Sequence, residues 1–178
     1  AEVDALVDKV ASLLPVRFLI VGGSTPRPDI YARLCGLGAE VVLDTYGSSL
    51  VNALDAGSPF LAKPNLKECR KTFGTESVEE AAARLQAGGA RWAVVTDEGG
   101  EAAFWLGDTH FQVSPPEVEV VHSVGCGDAL CAGLLHAVER DPADAVAFAM
   151  ACGAHAASRP EVARLDSAAC EALALESR

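Results

Sequence analysis

The chain has 178 residues, half of them hydrophobic, and a formal net charge of −11. This length fits one domain with a sizeable core, since lone domains usually contain about 100–200 residues. The acidic balance argues against nucleic-acid and anionic-membrane partners, and no apolar run approaches the ~20 residues of a membrane span. The six cysteines form no C-x-x-C pair, and the acidic start is unlike a secretory signal, so we expect a cytoplasmic protein with reduced thiols.

Short β-branched runs alternate with helical patterns through the first half of the chain. We predict strands at residues 17–21, 40–43, 59–62 and 91–96. The helices predicted between them cover residues 29–37, 48–56 and 78–87. This alternation favours parallel strands joined by crossover helices, in a single α/β domain over residues 1–178.

The second half of the chain has a different pattern. Three short strands are predicted close together, without helices between them, at residues 102–106, 111–113 and 118–121. Such spacing is typical of antiparallel or meander strands. Helices are then predicted at residues 129–140, 143–157 and 167–175.

The most informative segment is Gly125-Cys126-Gly127-Asp128, which separates a predicted strand from a predicted helix. Glycine allows positive φ and a close approach of backbone to ligand. The free N–H groups of a first helical turn attract anions. An aspartate beside such an anion hole suits phosphoryl transfer to an alcohol, because it can accept the hydroxyl proton. The alternatives are that Asp128 only complements the helix dipole, and that Cys126 is a small filler rather than a reactive thiol.

Polar residues also follow several predicted strands directly. In parallel α/β sheets, ligands lie beyond the carboxyl ends of the strands. This rule selects Gly22-Gly23-Ser24, Asp44-Thr45, Lys63-Pro64-Asn65 and Thr96-Asp97. Their convergence favours a binding site more strongly than any single motif does.

Each of these segments also has a purely structural explanation. Asn65 and Glu68 can order Mg²⁺ waters around phosphates or form a helix capping box, and the spacing alone favours the cap. Lys63 can pair with phosphate or end a strand in solvent. The loop with Gly99 and Gly100 can pass beneath a nucleotide or form a plain turn.

Taken in chain order, these motifs resemble those of the ribokinase-like (PfkB) sugar kinases. The resemblance depends on Gly22-Gly23-Ser24-Thr25-Pro26, Val42-Leu43-Asp44-Thr45, Lys63-Pro64-Asn65-x-x-Glu68, Val94-Val95-Thr96 and Val124-Gly125-x-Gly127-Asp128. The K-P-N-x-x-E element and the stretch from Pro115 to Val120 are most similar to the 1-phosphofructokinase and tagatose-6-phosphate kinase branch. The order and spacing match over essentially the whole chain.

The resemblance implies a three-layer α/β/α fold and transfer of the ATP γ-phosphoryl group to a sugar phosphate, such as fructose 1- or 6-phosphate or tagatose 6-phosphate. It implies that Asp128 is the catalytic base, that residues 125–127 form the anion hole, and that Ser24 contacts the sugar. Asn65 and Glu68 are implied to hold Mg²⁺ through water. The implied nucleotide contacts are Lys63, Asn65, Glu68, Thr96, Asp97, Gly99 and Gly100.

The sequence also departs from the family pattern. His122 stands where relatives carry Asp or Asn, which weakens the expectation of a monovalent-cation site there. Glu98 and Glu101 replace small residues in the nucleotide loop, where a carboxylate would repel phosphates. Family members continue before the position of Ala1 with a lid that often mediates dimers, so we expect a missing N-terminal segment or a homodimer. The alternative function is a non-catalytic, nucleotide-binding pseudokinase or a fragment completed by another chain.

Overall fold

The computed structural model describes residues 2–97, 100–162 and 164–176. Its six strands form one sheet in which neighbours follow chain order. The elements in chain order are α1 (Glu2–Ala11), β1 (Phe18–Gly22), α2 (Asp29–Cys35), β2 (Glu40–Asp44), α3 (Gly47–Ala56), β3 (Leu61–Ala62), α4 (Leu66–Phe73), α5 (Val78–Ala87), β4 (Trp92–Thr96), β5 (Ala102–Leu106), β6 (Thr109–Val113), α6 (Cys126–His136), α7 (Pro142–Ala157) and α8 (Ser167–Glu176).

The strands β1 to β4 are parallel, as their alternation with helices predicts. In register, Phe18 pairs with Glu40 at the start of β1 and Gly22 pairs with Asp44 at its end. The short strand β3 pairs with β2 on one side and with β4 on the other. The carboxyl ends of these strands therefore lie along one edge of the sheet, where the polar residues selected from the sequence follow them.

Contacts between Cα atoms divide the chain into two compact units: residues 1–98 with 105–108, and residues 99–104 with 109–178. The core of the first unit is built from alternate strand residues and the inner faces of the helices. Its members include Val41, Leu43, Val95, Leu50 and Leu85. Alternate side chains of a strand share a face, so β2 and β4 present one apolar row each to the helices.

In the second unit, α6 and α7 pack closely. A Cβ atom at Gly133 of α6 would lie 2.8 Å from Cys152 Sγ of α7, so only glycine fits this approach. Asp141 caps α7 by accepting a hydrogen bond from the Ala143 N–H, and Pro142 occupies the first turn, where no intrahelical N–H bond is lost. The expectation of one domain over the whole chain stays a prediction.

The segment 118–121 is not a strand, so that prediction is wrong. Val120 and Val121 are 66% and 56% exposed. The N–H groups of Val121 and His122 both donate to one carbonyl, that of Ala157 at the end of α7, at 2.8 and 3.2 Å. The β-branched residues gave the segment a strand-like sequence, but β propensity depends on a paired neighbour, and here the backbone bonds a helix end.

The other boundaries differ by a few residues. The helix predicted from residue 129 begins at Cys126 and ends at His136, and the acidic start of the chain forms α1. The strands β5 and β6 are joined by Gly107 and Asp108 alone, and Gly107 has φ +65°. All six cysteines are free thiols. Within the described ranges, no helix is both long enough and apolar enough to cross a membrane.

Candidate active site

The turn before α6 has the geometry of an anion site. Gly125, with φ +79°, is the N-cap of α6, and no side chain caps the helix. The Cys126 N–H makes a long hydrogen bond of 3.4 Å to the Ser123 carbonyl. Within the described ranges, the N–H groups of Gly127 and Asp128 have no acceptor. Two amides and the positive end of the helix dipole are therefore available to an anion.

Asp128 is the third residue of α6, and its side chain is exposed. The next three residues, Ala129, Leu130 and Cys131, are buried, so the helix is fixed by its opposite face. Within the described residues, no side chain donates a hydrogen bond to the Asp128 carboxylate. The carboxylate can thus accept a proton from a bound alcohol.

Cys126 is half-buried, with its Sγ 3.8 Å from the His122 carbonyl oxygen. Burial raises the pKa of the Cys126 thiol above its ordinary value. A protonated thiol is a poor nucleophile, so the structure favours a filler over a reactive group. An anion at this turn would therefore contact the backbone of Cys126 rather than its thiol.

At the carboxyl edge of β1, Ser24 is exposed and follows Gly23, which has φ +79°. Two side chains fix this exit: Tyr31, which the sequence did not single out, and Thr45, which was selected as a strand-end residue. Tyr31 Oη donates to the Gly22 carbonyl at 2.7 Å, and Thr45 Oγ1 donates to the Gly23 carbonyl at 2.7 Å. The two hydroxyls hold the backbone that presents Ser24.

Lys63 forms a buried ion pair, so of its two alternatives the solvated strand end is wrong. Its Nζ lies 3.1 Å from Asp44 Oδ2, with the two side chains 5% and 20% exposed. Leu43 pairs with Ala62 in register, which places Asp44 and Lys63 at neighbouring strand ends. The sequence placed Asp44 at this edge of the sheet but did not predict its pairing with Lys63, which the strand register could have indicated. A lysine held this way carries a fixed positive charge at the sheet edge.

Asn65 and Glu68 form a capping box at the start of α4, as the spacing favours. The Glu68 N–H donates to Asn65 Oδ1 at 2.9 Å, and the Asn65 N–H donates to Glu68 Oε2 at 2.9 Å. Each side chain has one oxygen in the cap, which leaves Glu68 Oε1 for a water-bridged cation. The described residues include no group of three His, Cys, Asp or Glu side chains that could hold a metal directly. The Glu68 oxygen outside the cap is of the type that holds an Mg²⁺-bound water, so these residues fit Mg²⁺ bound through water.

The loop after β4 is described only in part. Thr96 ends β4, its backbone pairs with that of Asn65, and Asp97 is exposed. Glu98 and Gly99 lie outside the described residues, and Gly100 is exposed. Glu101 accepts a hydrogen bond from Gln112 Nε2 of β6, so this carboxylate is bound to the protein.

The predicted site residues thus fall into two sets. The first unit places Lys63, Asn65, Glu68 and Thr96 on adjoining strand ends. It also contains Ser24 and Asp97, and the second unit contains Gly100 and the turn 125–128.

The family model for "pfkB family carbohydrate kinase" matches residues 37–168, which is more than half of the chain. The chain belongs to this family. Among curated proteins, it is 36% identical to the 1-phosphofructokinase of Rhodobacter capsulatus over 77% of the chain and 48% of that protein. It is 33% identical to the 1-phosphofructokinase of Haemophilus influenzae over 88% of the chain and 55% of that protein. The chain therefore spans about half the length of these pfkB relatives.

Solved structures confirm the ribokinase-like α/β fold of this pfkB chain. Phosphofructokinase-2 from Escherichia coli, in complex with potassium, superposes with a TM-score of 0.87 at 23% identity, over 98% of the chain and 62% of that protein. Arabidopsis thaliana ribokinase, complexed with ribose and ATP, gives a TM-score of 0.73 at 20% identity, over 96% of the chain and 59% of that protein.

Proposed function

We propose that this chain is the nucleotide-binding part of an ATP-dependent kinase that phosphorylates a hydroxyl of a ketohexose phosphate. The turn at residues 125–128 carries the proposal. An uncapped helix start with free N–H groups and an exposed carboxylate three residues on combines an anion site with a base. Family membership and the names of the 1-phosphofructokinase relatives support the same chemistry.

In the proposed reaction, Asp128 accepts the proton of the attacking hydroxyl. The N–H groups of Gly127 and Asp128, together with the backbone of Gly125 and Cys126, hold the transferring phosphoryl group. Phosphoryl transfer has a loose transition state, so positioning and charge stabilisation are the main tasks of these groups. A protonated Cys126 thiol adds no competing charge.

The strand-end residues of the first unit are proposed to serve the nucleotide. Lys63, held in place by Asp44, offers the remaining N–H donors of its ammonium group, and the free oxygen of Glu68 offers a site for an Mg²⁺-bound water. When bound, Mg²⁺ neutralises phosphate charge. Thr96, Asp97, Gly99 and Gly100 are proposed to border the nucleotide, and Ser24 to contact the sugar phosphate.

The non-catalytic alternative rested partly on Glu101, a carboxylate beside the expected phosphates. The hydrogen bond from Gln112 orients the Glu101 side chain towards β6, which weakens that objection. The chain covers only about half the length of its 1-phosphofructokinase relatives. Because such a site must exclude water, the proposal includes a further segment or a second chain that completes it.

The test compares Asp128→Asn with Asp144→Asn. Asp144 is the first-turn aspartate of α7, so both substitutions remove one carboxylate from a helix start. Mg·ATP binding is measured by calorimetry, and phosphoryl transfer by product formation from fructose 1-phosphate, fructose 6-phosphate and tagatose 6-phosphate. The intact mass of the protein is recorded first.

We expect Mg·ATP to bind all three proteins with similar affinity. Asp128→Asn should reduce transfer about 10²–10⁴-fold, the usual contribution of a general base, whereas Asp144→Asn should retain it. Equal turnover of Asp128→Asn and the parent would exclude the base assignment. Absence of Mg·ATP binding to the parent would refute the nucleotide-binding proposal for this chain.

A further inference from the structure

A second candidate site lies at the C-terminal end of α7. It is a cavity of about 520 Å³, a size within the range of about 300–1,000 Å³ typical of small-molecule sites. The residues that line it are His155, Arg159, Arg164, Leu165, Asp166 and Ser167. None of them belongs to the proposed catalytic or nucleotide-binding residues, so the cavity is a separate candidate site.

His155 is the buried polar group of this cavity. It is 5% exposed, and within the described residues its Nδ1 has no hydrogen-bond partner. The end of α7 is held in place, since Ser158 Oγ donates to the His155 carbonyl at 2.9 Å. An unpaired imidazole nitrogen is unfavourable in a protein interior, and Nδ1 itself is buried, so His155 lines the cavity through its other atoms.

The charges of the lining favour an anion. Arg159 and Arg164 contribute two guanidinium groups, in a chain whose formal net charge is −11. Asp166 Oδ1 is engaged by the start of α8, where it accepts from the Ala168 and Ala169 N–H groups at 2.9 and 3.1 Å.

A second carboxylate lies beside the cavity without lining it. Glu161 Oε2 is 3.5 Å from Arg159 Nε, and both side chains are half-exposed. This ion pair lies at the Nε of the guanidinium, which leaves Arg159 able to bind an anion through its terminal N–H groups.

We propose that the cavity binds a phosphate group, separately from the turn at residues 125–128. The planar N–H fork of arginine matches the oxygens of a phosphate. Leu165 provides an apolar wall for an organic substituent, and His155 lines the same cavity. The source of the phosphate is either the free ion or a small organic monoester.

The test follows the side-chain ¹⁵N resonances of His155 by NMR in the full chain. Inorganic phosphate and glycerol 3-phosphate are added in separate titrations at constant ionic strength, and the other histidines (His110, His122 and His136) serve as references. We expect a saturable change at His155. Tighter binding of glycerol 3-phosphate identifies an organic monoester as the ligand class, and equal affinity identifies the free ion.

Three variants locate the binding. Arg159→Gln and Arg164→Gln should each weaken the Kd by about tenfold or more, because each removes a charge-assisted hydrogen bond to phosphate. Arg70→Gln removes the same charge from α4 and should change the Kd by less than about twofold, since it affects only the screened long-range field. Circular dichroism verifies the fold of each variant. The proposal is overturned if His155 shows no saturable change with either probe, or if the change persists in both cavity variants.

Discussion

Replacing Gly133 by alanine should loosen the packing of α6 against α7. The new Cβ would lie 2.8 Å from Cys152 Sγ, 3.0 Å from Cys152 Cβ and 3.1 Å from Ala149 Cα. Cys152 is 2% exposed and Ala149 is fully buried, so neither neighbour can move into solvent. Because one of the three atoms is backbone, a side-chain rotation alone cannot relieve the overlap.

The magnitude follows from two opposing terms. Overpacking of this kind costs about 1–3 kcal/mol, and the backbone contact places Gly133→Ala in the upper part of that range. Alanine is favoured over glycine in a helix interior by about 0.8–1.0 kcal/mol. The net loss should be about 1–2 kcal/mol, which corresponds to a Tm lower by about 2–8 °C for a chain of this size.

Gly153 of α7 is the matched control. A Cβ atom at Gly153 would lie 3.5 Å from the Cys126 carbonyl oxygen and 3.6 Å from Leu130 Cβ, which are ordinary contacts. Gly153→Ala should therefore gain helix propensity without overpacking and raise the Tm by about 1–4 °C. The two substitutions are chemically identical and lie on facing helices, so opposite signs isolate the steric effect.

Thermal unfolding followed by circular dichroism at 222 nm measures both variants. Gly133→Ala is also measured in a Cys152→Ala background, which tests whether the overlap with Sγ causes the loss of stability. Removing this nearest atom should reduce the cost of Gly133→Ala. An unchanged or higher Tm of Gly133→Ala would refute the argument. So would an equal cost in the presence and absence of the Cys152 sulfur.

Three further predictions concern polar contacts of the first unit. Asn65→Ala should lower the free energy of unfolding by about 1 kcal/mol, the usual contribution of an N-cap, as measured by urea denaturation. Glu68→Gln should raise the Mg²⁺ concentration needed for ATP binding. An unchanged Mg²⁺ titration would mean that Glu68 serves only the helix cap. Arg91, with help from Arg17, lowers the pKa of Glu40 below its ordinary value of 4.5, so Glu40 stabilises the fold above pH 4.5 and loses this effect as the pH falls through the lowered pKa. Glu40→Gln should therefore reduce the urea midpoint at pH 7 and converge with the parent in acid; a gap that persisted at pH 2 would contradict the electrostatic origin.

Local sequence determined much of the fold. The alternation of apolar strands and helical patterns was sufficient for the parallel order of β1 to β4, because each crossover helix enforces it. The capping box of Asn65 and Glu68 and the turn at Gly125 were also readable, since a cap and a positive φ depend on residues a few positions apart. These features need no knowledge of distant neighbours.

Other features depend on residues far apart in the chain, and only the tertiary structure decided them. The segment 118–121 has strand-like residues but bonds the end of α7, and Lys63 meets Asp44 because two strands pair in one register. The unpaired nitrogen of His155 has the same origin, since tertiary packing buries this side chain to 5% exposure. Periodicity and propensity describe what a segment prefers by itself, whereas burial and pairing are properties of the contacts that folding brings to it.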